Sequence, residues 1–267
     1  MAERARKATG GRRAAGGAAP LVPGSGDRSA GYFRRTAEPL NAATMAAPVF
    51  LTYQVGLLLT GGVGYNGVDF VTALMDLLAR RSGVAYGVVL MVLVAGYGVL
   101  LWWLRRRGRF DPAYFVPVLF ESTVYAALMG SLIVFVVHRV LHLAAVSAAA
   151  PPRGLAAAVV VSAGAGFYEE LVFRAGILGG GAALLRLAGV RRPAAAAVAL
   201  AVSAVLFSLA HHFVIGSEPF ALDRAVYRAL TGAVFGGIFL ARGFAVGAYT
   251  HALYDLFVLL LGGGGAG

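Results

Sequence analysis

The sequence predicts an all-α, polytopic membrane protein: a helix bundle of about seven transmembrane segments with one further amphipathic helix. Three observations carry this reading. The chain is 59% hydrophobic and only 13% charged, where soluble domains carry about a quarter charged residues, and its mean hydropathy is +0.77. The apolar residues gather in runs that approach the ~20 residues needed to cross a bilayer. The basic residues stand beside the ends of those runs, where positive-inside topology puts them.

That placement decides what the net charge of +11 means. It marks a lipid bilayer as the partner and not nucleic acid. The absence of cysteine excludes disulfides, Cys-ligated zinc and thiol catalysis. Lys7 is the only lysine beside many arginines, alanines and glycines, a bias that points to GC-rich coding and a bacterial source.

Residues 1–42 read as a disordered basic tail: Arg4 through Arg35 lie among Gly, Ala and Pro, with only Glu3, Asp27 and Glu38 opposing them. Residues 43–150 follow as N-terminal membrane helices and residues 151–263 as a catalytic core. Apolar runs fall near 46–62, 83–104, 114–141, 154–189, 193–214, 224–241 and 244–262. The fourth is long enough to be two pieces broken at Gly164–Gly166. Segment 67–81 is apolar on one face, with Asp69, Asp76, Arg80 and Arg81 elsewhere, as in an interfacial helix. Arg105–Arg109 after Trp102–Trp103, and Arg191–Arg192, read as cytosolic stops.

A charge near the bilayer centre costs about 2.5–3.5 kcal/mol on insertion scales, and such residues face a protein interior or a wet cavity. The ionisable groups inside the runs are Glu121, His138, Glu169, Glu170, Arg174, His211, His212, His251 and Asp255. Most of them form three short clusters. In the first, Glu170 and Arg174 share a helical face and match as an ion pair, while Glu169 diverges by about 100° and finds no basic residue at helical spacing. A carboxylate so placed has the character of a general base. In the second, Phe207 and His211 share a face, so the ring packs over the imidazole, and His212 is expected at the interface. In the third, His251 and Asp255 share a face, so Asp255 can orient the imidazole. Glu121, outside the clusters, is expected to pack against a donor.

Register brings two clusters together. Glu170 precedes the Arg192–Pro193 turn by roughly as many residues as His211 follows it, so an antiparallel hairpin sets both about 30 Å from the turn. His251 fits less well. It lies too close to the Gly243 turn for a regular hairpin, and irregular or tilted helices are needed. The membrane face that the site approaches is left open by the same register.

The three clusters resemble, in order and spacing, the CPBP family of intramembrane proteases, the CAAX proteases and bacteriocin-processing enzymes also called the ABI family. The family pattern EExxxR, FxxxH, HxxxN/D is met by Glu169-Glu170-xxx-Arg174, Phe207-xxx-His211 and His251-xxx-Asp255. The resemblance covers roughly residues 154–262. Ala175 replaces the usual glycine, and Asp255 stands where the eukaryotic prenyl-protein members carry asparagine.

The resemblance implies an intramembrane endopeptidase. Glu169 and His211 would activate a water for attack on the peptide carbonyl. His251 and Asp255 would stabilise the oxyanion or position the substrate, with Glu170, Arg174 and Phe207 supporting. It implies no cofactor, a peptide or membrane-protein substrate, and residence in a bacterial inner membrane. Two alternatives compete. One is a zinc-dependent protease with the metal on His211, His251 and Glu169, although no HExxH pair is present. The other is a transporter, immunity or scaffold protein, for which charge would line a pathway rather than gather at one level.

Overall fold

The computed structural model describes residues 25–59, 83–142, 154–215 and 220–261. Among these residues there are eight helices and no strand. In order they are α1 (Ser25–Thr36), α2 (Pro39–Leu59), α3 (Gly83–Arg105) and α4 (Phe115–Phe135). They continue with α5 (Leu155–Leu187), α6 (Arg192–Ala210), α7 (Leu222–Arg242) and α8 (Phe244–Leu261). The seven expected apolar segments correspond to α2 through α8. Helices α2 to α6 are each long and apolar enough to cross a membrane, and α8 is a shorter apolar helix. The protein is an integral membrane helix bundle. The expected interfacial helix over 67–81 lies outside the described residues, as do residues 1–24.

Local chemistry sets the helix ends. Asp111 accepts from the Ala113 amide over the turn Pro112–Tyr114 that opens α4, which satisfies one of the free amides of a helix start. Pro193 sits in the first turn of α6, where its missing N–H is harmless. Gly243 ends α7 with φ 82°, the left-handed conformation that a Cβ disfavours.

Packing shows which faces meet lipid. Helix α3 is largely exposed and docks on α2 through stacked Phe50 and Tyr97 rings, 4.8 Å apart, with the Tyr97 hydroxyl donating to the Ala43 carbonyl at 2.6 Å. At its end Arg106 and Arg107 lie 3.7 and 3.8 Å over Trp102 and Trp103, an aromatic–basic edge suited to the headgroup level. The core lies between α2, α5, α6 and α8, around Tyr53, Phe167, Tyr168, Phe173 and Phe207.

Two expectations are corrected. The first is the disordered tail to residue 42, because residues 25–36 form α1 and α2 starts at Pro39. Helix α1 is held by polar contacts that composition does not reveal. Tyr32 donates to Glu121 at 2.7 Å, and the Arg242 guanidinium pairs with Glu121 while bonding Thr36 at 3.2 Å and lying 4.2 Å over Phe33. Glu121 thus meets a donor, as expected. Since one partner left in a poorly hydrated place costs about 3 kcal/mol or more, Arg242→Ala is expected to lower Tm in detergent clearly. A double variant with Glu121→Ala should lose less than the two single losses combined, and simple additivity would rule out the pairing as the lock on α1.

The second correction concerns α5. It is one helix and is not broken at Gly164–Gly166. At that point it widens into a π-helix over Ala165–Gly180 before returning to α geometry over Gly181–Leu187.

Candidate active site

The wide turns of α5 bear directly on the site. A π-helix bonds i to i+5, so neighbouring residues step through a smaller angle than in an α-helix. Glu169 and Glu170 still diverge, by somewhat less than on an α-helix. Both are buried, and both reach the same imidazole. Glu170 Oε1 accepts from His251 Nδ1 at 2.9 Å and lies 3.3 Å from Arg174 Nε. Glu169 Oε2 lies 3.7 Å from His251 Nε2 and 3.7 Å from His211 Nε2. The two glutamates thus divide between partners: Glu170 holds Arg174 and Nδ1 of His251, and Glu169 faces Nε2 of both imidazoles.

His211 sits where α6 ends and a second π turn, His211–Ile215, begins. Its Nδ1 lies 2.8 Å from the Phe207 carbonyl. A carbonyl only accepts, so Nδ1 carries the proton and Nε2 turns its lone pair toward Glu169. The Phe207 ring lies 4.6 Å from the imidazole. His212, expected at the interface, is instead buried, 5.3 Å from the Phe220 ring.

His251 meets both glutamates although it lies close to the Gly243 turn. Gly243 packs against Ala37, and a Cβ on it would lie 3.2 Å from the Ala37 Cα, whereas the residues around Gly189 are exposed. Phe235 stacks flat on His251, 4.1 Å away at 25°. Asp255 Oδ2 lies 3.7 Å from His251 Nε2.

Four polar atoms thus converge: Glu169 Oε2, His211 Nε2, His251 Nε2 and Asp255 Oδ2. Glu169 and His251 are 3% exposed, His211 12% and Asp255 29%, so the cluster opens on the side of Asp255 and His211. Behind it Arg174 is fully buried, lies 4.3 Å over Phe207 and donates to the Gly232 carbonyl at 3.4 Å. Sequence reasoning missed Phe235, for which spacing gives no signal. It also missed Gln54, buried on α2 and bonded to the Tyr168 hydroxyl; a lone amide in an apolar run is the signal that would have found it.

A membrane bundle that gathers two carboxylates and two imidazoles at one buried level, from α5, α6 and α8, has the make-up of a hydrolytic centre. Residues 151–257, which hold all three clusters, match the family described as type II CAAX prenyl endopeptidase Rce1-like. This part of the chain is thus similar to a family of peptide hydrolases that act on CAAX prenyl proteins. Neither a curated protein nor a solved structure matches the chain.

Proposed function

We propose that the protein hydrolyses a peptide bond with a water activated jointly by Glu169 and His211. One observation carries the reading: Glu169 Oε2 stands 3.7 Å from both imidazole Nε2 atoms. That separation is too long for a direct hydrogen bond and suits a bridging water. His211 Nε2, left as a lone pair by the Phe207 bond, accepts from the water, and Glu169 takes its proton as hydroxide attacks the carbonyl carbon. Doubly protonated, His251 offers Nε2–H to the resulting oxyanion while Nδ1–H stays on Glu170. Collapse breaks the C–N bond, and Glu169 returns the proton to the leaving amine.

Asp255 borders the oxyanion side and Glu170 positions His251, with Arg174 holding Glu170. The substrate is a peptide or membrane protein entering from the Asp255 side, in a bacterial inner membrane. A zinc-dependent reaction on Glu169, His211 and His251 is the second reading. The fixed His211 tautomer serves either one, since a lone pair on Nε2 can face a water or a metal ion.

Peptide cleavage in liposomes separates the two. His211→Ala is expected to lower kcat by about 10²–10⁴-fold, with Tm little changed and with chelator leaving wild-type turnover intact. Loss of activity on chelation, restored by zinc, would establish the metal reading instead. Full activity of His211→Ala would remove both.

A further inference from the structure

The site carries an imbalance of charge. Glu169, Glu170 and Asp255 all surround the place where the proposed reaction develops a further negative charge, and Arg174 is held at the back by Glu170 and the Gly232 carbonyl. Two carboxylates can be reconciled with that step, one as base and one as anchor for His251. Asp255 has neither task, and a bare carboxylate on the oxyanion side opposes the reaction.

The packing of α7 supplies the missing cation. Gly232 lies against α6, where a Cβ would come 3.0 Å from Phe207 Cδ1 and 3.2 Å from Ala204 Cα. Helices α6 and α7 are consecutive and antiparallel, so one turn back along α7 from Gly232 corresponds to one turn forward along α6 from Phe207. Those positions are Arg228 and His211. On the other side the Tyr227 hydroxyl bonds the Tyr254 hydroxyl, which sets Arg228, the next residue, at the level of Asp255. Ser208, whose hydroxyl donates to the Ala225 carbonyl at 2.7 Å, ties the same stretch of α7 to α6. Arg228 is half-buried and interacts electrostatically with both His211 and Asp255.

We infer that Arg228 is a positioning residue that holds Asp255 as a neutralised ion pair at the rim of the site, so that Asp255 frames the oxyanion without repelling it. The inference rests on the hydrolytic reading above. Guanidinium suits this task because its planar fork is always charged and engages a carboxylate through two N–H groups.

A double-mutant cycle of Arg228→Gln and Asp255→Asn tests it, with peptide cleavage in liposomes and Tm in detergent as readouts. Arg228→Gln is expected to lower kcat about 10–100-fold with Asp255 present, and by no more than about threefold relative to Asp255→Asn when both changes are combined. Arg228→Lys should recover part of the loss, since it keeps the charge and not the fork. Equal losses in both backgrounds would overturn the pairing. So would a loss confined to KM, which would make Arg228 a contact for the substrate's own carboxylate. The thermal cycle is independent of turnover: the Tm loss from Arg228→Gln should shrink in the Asp255→Asn background, and additive losses would overturn the proposal even where Asp255→Asn is inactive. A wild-type protein that cleaves no membrane peptide would defeat the hydrolytic reading alone, with the thermal cycle still deciding the pair.

Discussion

Glu169→Gln is expected to reduce cleavage at least about 10³-fold while leaving the protein as stable as wild type. The neighbouring Glu170→Gln is expected to reduce cleavage and stability together. The contrast follows from what each carboxylate touches. Glu169 stands 3.7 Å from two imidazoles, while the buried Arg174 guanidinium has Glu170 3.3 Å away, so an isosteric amide at Glu169 removes a base and leaves that ion pair in place; general-base removal accounts for about 10²–10⁴-fold. Glu170, fully buried, serves His251 Nδ1 and Arg174 at once. Neutralising it leaves a buried guanidinium without its carboxylate, a change worth about 3–5 kcal/mol, and frees the His251 ring. Rates and Tm for both variants decide the assignment. If Glu169→Gln keeps more than a tenth of wild-type activity, or if Glu170→Gln loses activity at unchanged Tm, the two glutamates have been given each other's roles.

The distinction between the two glutamates marks the limit of what spacing can tell. The helices themselves were legible, because each apolar run in the chain had to become a helix to satisfy its backbone in lipid. The meeting of α5 and α6 was legible too, since Glu170 and His211 lie at comparable distances from one turn. The direction of Glu169 was not. An α-helical wheel separates it from Glu170 without showing that both reach one imidazole, at Nε2 and Nδ1 of His251, from a segment that widens into a π-helix over Ala165–Gly180. Nothing in the residue types of that segment announces the change, because an extra residue per turn is favoured by what packs against the helix. The depth of His251 was hidden as well, because its closeness to the Gly243 turn does not show that it meets both glutamates. The docking of α1 was hidden because Tyr32, Thr36 and Arg242 gain their meaning only around Glu121.

The same dependence on remote packing makes Gly166→Ala the second large effect, although alanine is the better helix former. A Cβ on Gly166 would lie 2.5 Å from the Ala248 carbonyl oxygen and 2.8 Å from the Ala252 amide nitrogen. Both are backbone atoms of α8, so no side chain can rotate aside and α8 must move bodily. Overpacking of this kind costs about 1–3 kcal/mol, a modest fall in Tm. The effect on catalysis is expected to be greater. Gly166 stands one turn before Glu169 on α5, and Ala248 and Ala252 flank His251 on α8, so the displacement falls across the 2.9 Å bond between Glu170 and His251. Misplacing reacting groups by about 1 Å can reduce turnover 10²-fold. Gly166→Ala is therefore expected to lose about 10²-fold in kcat with KM little altered, out of proportion to its loss of Tm. Gly180→Ala provides the comparison, because a Cβ there meets nothing within 4 Å, and it should leave both quantities near wild type. A Gly166→Ala protein that turns over normally would mean that the closeness of α5 and α8 does not govern the geometry of the glutamate–histidine cluster.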